Sequence, residues 1–217
     1  MKKSKSLFLV TVLVYIFLIG PLLVIAAASF SDTTYLKFPG EGFTLKVKTF
    51  GSAAKYSIII AFAATFLALI LGLPAAYALN RYRFRGKEFI KGLFLSPVLI
   101  PVIVLGFVML RYVTNRFKLP ALPSLLIGHT ILSIPYVMRV VTSSLANFDF
   151  SMEEAARILG AGNVYTFFHI LLPNIKSGIV SACIMAIINS FNNVSLSAFL
   201  TSAGVTVLPI EMMAYVE

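Results

Sequence analysis

Tryptophan is absent from this 217-residue chain, cysteine occurs once, and only 12% of the side chains carry a charge. The single Cys183 excludes an internal disulfide framework and any cysteine-rich metal site. A soluble domain has about twice this charged fraction, so too few polar side chains are present to cover a water-facing surface. Acidic residues are scarcest, 8 against 18 Lys and Arg. No G-x4-G-K-[ST] pattern occurs, so the chain lacks the phosphate-cradling loop of a nucleotide hydrolase. The sequence also shows no metal-ligand cluster and no nucleophile–base pair.

What is abundant is apolar, 59% of all residues. These residues fall in blocks long enough to cross the roughly 30 Å of bilayer hydrocarbon, which takes about 20 helical residues. The blocks lie at about 7–28, 56–79, 92–111, 121–147 and 177–200, and none contains Asp or Glu. Only helices and closed barrels satisfy the backbone in lipid, and the blocks lack the alternation of barrel strands. The expectation is an all-α polytopic membrane protein, one domain over 1–217, with five transmembrane helices. Lys2, Lys3 and Lys5 precede the first block, which ends in Ala26-Ala27-Ala28 as a cleavable signal peptide does. The block exceeds the usual signal core of about 7–15 residues, so an uncleaved first helix is expected.

The net charge of +10 does not point to nucleic acid, because the basic residues edge the apolar blocks. There they act as membrane-interface anchors and topology signals. Arg81, Arg83, Arg85, Lys87 and Lys91 crowd residues 80–91 and mark that segment, with the N-terminus, as cytoplasmic. Alternation then puts 29–55, 111–118 and 201–217 outside and 148–176 inside, although Lys37, Lys46, Lys48 and Lys55 fall on the outer side. Arg139 can snorkel from the inner part of the fourth helix to the headgroups.

The loop 148–176 has a pattern of its own. Ser151 and Glu154 fit a capping box. Met152, Ala155, Ala156 and Leu159 form one apolar stripe, and Gly160 can end the helix in a left-handed cap. A second helix is expected from Gly162 to Leu172, with Pro173 turning the chain toward the last block. A two-turn helix is not stable alone in water. Its stripe is alanine-rich with few accompanying cations, so it suits a partner's groove better than an anionic bilayer.

Glu154-Ala155-Ala156, three residues, Gly160, nine residues, then Ile170-x-Leu172-Pro173 resembles the EAA signature of binding-protein-dependent ABC importer permeases. The match covers every signature position. The resemblance implies that Ser151–Gly160 is a coupling helix seated in a cleft of a separate ATPase subunit. It implies that Ala155, Ala156 and Gly160 permit close packing and a sharp turn, that Glu154 makes a polar contact or a cap, and that Ile170, Leu172 and Pro173 seat the following helix. It further implies two ATPase subunits that use ATP and Mg2+, a second and non-identical permease, and an extracytoplasmic solute-binding protein. The implied place is a bacterial cell membrane, with contacts to lipid and none to nucleic acid. The chain itself holds no cofactor and is not an enzyme.

The likeness continues at Gly20-Pro21, Ser29-Phe30-Ser31, residues 80–87, Ser96-Pro97 with Pro101, His129-Thr130, Ile134-Pro135-Tyr136, Ser190-Phe191-Asn192 and Leu208-Pro209. Together these are similar to the spermidine/putrescine branch, which includes permeases for other small solutes such as aminophosphonates. Two departures stand out. Many polyamine-type members have Asp where this chain has Asn192, and members usually have a sixth span, needing about 40 more residues. Asn189 and Asn192, nearly one turn apart, are candidates to line the translocation path, while polar residues in lipid also act as glue between helices. His129 reads as a satisfied core histidine and His169 as structural; Gly72 and Gly106 read as close-packing positions. An ion-coupled secondary transporter would need intramembrane carboxylates, and a membrane anchor with a partner-binding loop is the other rival.

Overall fold

The computed structural model describes Phe8, Val10–Ile19 and residues 50–216. The chain divides into two compact units, the first Phe50–Glu211 and the second Met1–Thr49 with Met212–Glu217. In the second of these, α1 is an apolar helix, Val10–Ile19. The remainder of the block at 7–28, Gly20-Pro21, Ser29-Phe30-Ser31, Lys37, Lys46 and Lys48 lie outside the described residues.

The larger unit begins with α2, Phe50–Arg81, and α3, Lys87–Leu95, which runs into a 3₁₀ turn at Ser96–Val98. Next come α4, Val102–Met109, a π-helical segment Leu110–Arg116, and α5, Ala121–Ala146. The loop region holds α6, Ser151–Ile158, α7, Asn163–Thr166, a π-helical segment Phe167–Leu171 and α8, Leu172–Asn174. Then α9, Lys176–Phe191, and α10, Val194–Leu200, precede α11, Leu208–Val216, of which 208–211 belong to this unit. Among the described residues there is no strand beyond one isolated bridge, Ser202 to Val205, so the all-α expectation holds.

Helices α2, α5 and α9 pack on one another and form the centre of this unit. What α2 and α9 bury is mostly small, while α5 supplies larger apolar side chains. On α2 the inward stripe is Ala53, Ser57, Ala61, Ala64, Ala68, Gly72 and Ala76, and on α9 it is Gly178, Ala182, Ala186 and Ser190. Ile58, Phe62, Phe66 and Ile70 point outward from α2, as do Val180, Ile184 and Ile188 from α9. In water this arrangement is inverted, but lipid tails are as apolar as leucine, so helices associate through small residues that let backbones approach. Two apolar clusters fill the interior. One joins Leu79, Val137, Val141, Leu145 and Leu171; the other joins Ile60, Leu125, Leu132, Leu196 and Leu200.

Two helices are individually long and apolar enough to cross a bilayer, Phe50–Arg81 and Ala121–Ala146. The block at 92–111 is instead part of a bent pair, Lys87–Val98 and Val102–Arg116, with 91° between them. Neither Pro97 nor Pro101 donates an N–H; Ser96 stays helical as the chain tightens into the 3₁₀ turn, and the chain leaves the helical region at Pro101, the N-cap of α4. The block at 177–200 divides at Asn192, where Asn193 caps α10 by accepting from Leu196 N–H at 3.0 Å. A second bent pair, Asn163–Asn174 and Lys176–Phe191, turns by 74°. Its turn lies at Ile175, two residues beyond Pro173. Pro173 sits at the start of α8, and a proline there cannot bond to the carbonyl four residues back, which fits the π-helical Phe167–Leu171 just before it.

A Cβ at Gly72 would lie 3.0 Å from Val137 Cγ1, and one at Gly106 2.7 Å from Phe199 Cδ2, so both glycines do mark close approaches. Gly72→Leu is expected to part α2 from α5 and cost about 1–3 kcal/mol. The check is the thermal unfolding midpoint of the detergent-solubilised protein, with the exposed Gly92→Leu as reference.

Candidate functional site

Helix α6 is amphipathic, and it lies with Glu153 inward. Glu153 is 0% exposed, whereas Ile158 and Leu159 are 87% and 88% exposed and Met152 is also open. Burying an ionised carboxylate costs several kcal/mol unless partners replace its water. Here Tyr77 Oη donates to Glu153 Oε2 at 3.0 Å, and Arg81 Nε and the Arg157 guanidinium stand 3.4 and 3.8 Å from the same oxygen. The Arg81 guanidinium also donates to Glu154 Oε1 at 2.9 Å. Two acids of α6 therefore clasp the last turn of α2. Tyr77 and Arg81 are spaced one turn apart, so one helix face presents both.

Aromatic rings complete the seat. The Arg81 guanidinium lies 5.3 Å from the Phe150 ring centroid. Tyr77 meets the Phe167 ring edge-on at 5.5 Å, and Phe148 meets Phe150 at 5.2 Å. These contacts correct one expectation. The Ser151–Glu154 capping box does not form, because Phe150 holds the N-cap position and Ser151 is already helical. The first orphan N–H is met from further back: Ser151 N–H donates to Asp149 Oδ1 at 2.9 Å. That bond and the Ser151 hydroxyl hold the Asp149 carboxyl below its ordinary value. Glu154, freed from capping, pairs with Arg81.

The other end of α6 matches its sequence. Gly160 has φ of 89°, the left-handed region where a side chain is strained. Gly160 N–H donates to Arg157 O and Ala161 N–H to Ala156 O, both at 2.9 Å, which makes a Schellman cap. Past it, Ala156, Leu159, Gly160 and Tyr165 line an open concavity of about 510 Å3. Ala155 is exposed and Ala156 half-buried. Of the residues expected to seat the next helix, Ile170 and Leu172 are half-buried and Pro173 is exposed; Leu171 and Ile175 are the deeply buried ones. His169 stacks on Tyr165 with 4.1 Å between centroids.

A second polar locus lies where α9 breaks. Asn189 and Asn192 share a surface cavity of about 320 Å3 with Tyr136 and Asn193. Asn189 is half-buried and Asn192 exposed. His129 stands apart, bridging α5 to the later helices through Ser190 Oγ at 2.9 Å and Ser197 Oγ at 3.1 Å, as a satisfied core histidine. Among the described residues no group of His, Cys, Asp or Glu can hold a metal. Sequence reasoning missed Glu153, Tyr77 and Tyr136. The available signal was the pairing of Glu153 with Arg157 and of Tyr77 with Arg81, each at i, i+4.

A helical bundle of this kind, carrying a short loop helix whose apolar side has no cover, has the build of a polytopic membrane component. Residues 68–215 match the family described as binding-protein-dependent transport system inner membrane component, and the chain belongs to that family. It is a permease subunit of an ABC importer. Similar curated proteins include the spermidine/putrescine transport system permease protein PotC of Haemophilus influenzae, 32% identical over 94% of this chain and 82% of that protein. Another is the molybdate/tungstate transport system permease protein WtpB of Methanocaldococcus jannaschii, 28% identical over 88% of this chain and 75% of that protein. A bacterial ABC transporter involved in alginate import shares the fold, with a TM-score of 0.67 and 21% identity over 99% of this chain and 80% of that one.

Glu153→Ala leaves Arg81 and Tyr77 without their buried acceptor and is expected to cost about 3 kcal/mol. Hydrogen exchange across α6 should rise in that variant while exchange in α5 stays near wild type.

Proposed function

We propose that this chain is the permease subunit of a polyamine importer and that α6 is its coupling helix. The observation that carries the reading is the orientation of α6: Glu153 turned inward beside Arg81, apolar Met152, Ile158 and Leu159 turned outward with nothing on them. The partner is a pair of cytoplasmic ATPase subunits, each with a cleft for a short helix, and they alone use ATP and Mg2+. Ala155, Ala156 and the Gly160 turn give the approach its closeness. Ile170, Leu172 and Pro173 hold the path from α6 to α9. A second, non-identical permease and an extracytoplasmic solute-binding protein complete the assembly, in a bacterial cell membrane with the N-terminus cytoplasmic.

When ATP closes the ATPase pair, α6 moves with its cleft. The Arg81–Glu154 ion pair and the Tyr77–Glu153 hydrogen bond carry that displacement into the end of α2. Switching a two-state equilibrium from about 1:99 to 99:1 needs about 5.5 kcal/mol of differential binding. Asn189, Asn192 and Tyr136 line the solute path, where amide oxygens and an aromatic face suit ammonium groups. The likeness to PotC supports a polyamine. The absence of a carboxylate in this cavity favours a second reading, a permease for another small solute such as an aminophosphonate.

Gly160→Val forces a β-branched residue into the left-handed region, at about 1–3 kcal/mol. In reconstituted vesicles the variant should still copurify with the ATPase, lose stimulation by loaded binding protein, and take up solute about tenfold more slowly. Uptake that survives with coupling intact refutes the role given to α6. For the solute, Asn189→Ala with Asn192→Ala should lower uptake and leave basal ATPase activity unchanged. Titration of the cognate binding protein with spermidine and putrescine separates the two solute readings.

A further inference from the structure

Helix α3, the facing side of α5 and the end of α2 line a pocket apart from the asparagine cavity and the seat of α6. Its volume is about 290 Å3, and its polar lining is Asn80, Lys87, Glu88, Lys91, Arg139 and Thr142. Three cations therefore face one carboxylate, and Glu88 is already paired with Lys91 at 3.8 Å. Among the described residues Lys87 and Arg139 have no ion-pair partner. Asn80 Nδ2 donates to Ala76 O at 2.7 Å and to Thr142 Oγ1 at 3.3 Å, which ties α2 to α5 at the pocket. The N-terminus of α3 opens here after Gly86, which gives no side-chain cap, so unfilled N–H donors add to the positive field.

The outer side of the same helix is apolar. Phe89 is 76% exposed, Leu93 62%, and Leu99 in the turn beyond 80%. With the 91° bend between Lys87–Val98 and Val102–Arg116, α3 lies across the direction of the segment that follows it. A helix so placed, greasy outside and cationic inside, has the build of an element lying in the headgroup layer. The pocket shares its end of α2 with Arg81, hence with α6 and the side proposed above as cytoplasmic, where anionic lipid creates a negative surface.

We infer that this pocket binds the phosphate of an anionic phospholipid, with Lys87, Lys91 and Arg139 around the headgroup and the acyl chains along Phe89 and Leu93. The ligand fits by charge complementarity and by continuity of the pocket with an exposed apolar face. Lipid then fixes α3 against α5 and the end of α2, whatever solute the permease carries.

The test is native mass spectrometry of the full-length protein released from nanodiscs of mixed phosphatidylglycerol and phosphatidylcholine. Wild type should retain phosphatidylglycerol preferentially. Lys87→Gln, Lys91→Gln and Arg139→Gln should each weaken that preference about fivefold, the worth of one cation near an anionic surface. Arg83→Gln and Arg85→Gln, in the same basic segment but outside the pocket, should leave it unchanged. Unfolding midpoints within a degree or so of wild type, about what a surface change gives, exclude misfolding as the cause; a variant that melts lower is replaced by its Lys↔Arg exchange, which should retain the lipid. Equal retention of the two lipids, or equal losses from Arg83→Gln and Lys87→Gln, overturns the inference. So does protection by inorganic phosphate alone with no lipid preference, which would make the ligand a soluble anion.

Discussion

Burial of the Glu153 carboxylate commits α6 to a single orientation. A desolvated charge is tolerated only where its partners are, and here all three, Tyr77, Arg81 and Arg157, are clustered at the foot of α2. With that face spoken for, the apolar face of an eight-residue helix has no choice but to point away from its own bundle. The same contact does two things. It leaves Met152, Ile158 and Leu159 uncovered, and it ties the loop helix to a helix of 32 residues. Phe150 and Phe167 pack around Tyr77, so the seat is rigid as well as charged.

Above that seat the bundle follows the rule of helices in lipid. Small residues on α2 and α9 let backbones come close, and large apolar residues turn outward. Where regular helix would run on, the chain breaks at Pro97–Pro101 and at Asn192–Asn193. Both breaks sit beside polar features, the cationic pocket of α3 in one case and the asparagine cavity in the other. A helix end frees backbone polar groups that must be paired locally. Asn193 meets one of these needs by capping α10.

Much of this was legible in the linear order of residues. The all-helical class, the two long spans and the left-handed Gly160 cap follow from block length, charge placement and glycine's freedom at positive φ. Of the stripe expected on α6, Met152, Ala155 and Leu159 are exposed and Ala156 is half-buried, while Ile158, outside that stripe, is exposed as well. Less was legible in the site. The capping box was a reasonable local pattern that lost to Phe150, whose ring packing advances the start of the helix by one residue. The continuous helices expected at 92–111 and 177–200 ignored what paired prolines and adjacent asparagines do to a backbone.

Hydropathy and the spacing Glu154 to Pro173 determined by themselves that this polypeptide is a helical membrane component with a protruding loop helix. Those properties are local, read from each residue's own chemistry and its near neighbours. Tertiary structure alone decided that Glu153, rather than Glu154, is the buried acid, and that Tyr77 and Arg81 are its partners across 76 and 72 positions of chain. It alone assembled Lys87, Lys91 and Arg139 around one pocket, and Tyr136 beside Asn189 and Asn192. Such groupings depend on which helix faces meet, and that is set by the summed packing of small residues, a quantity no single stretch of sequence contains.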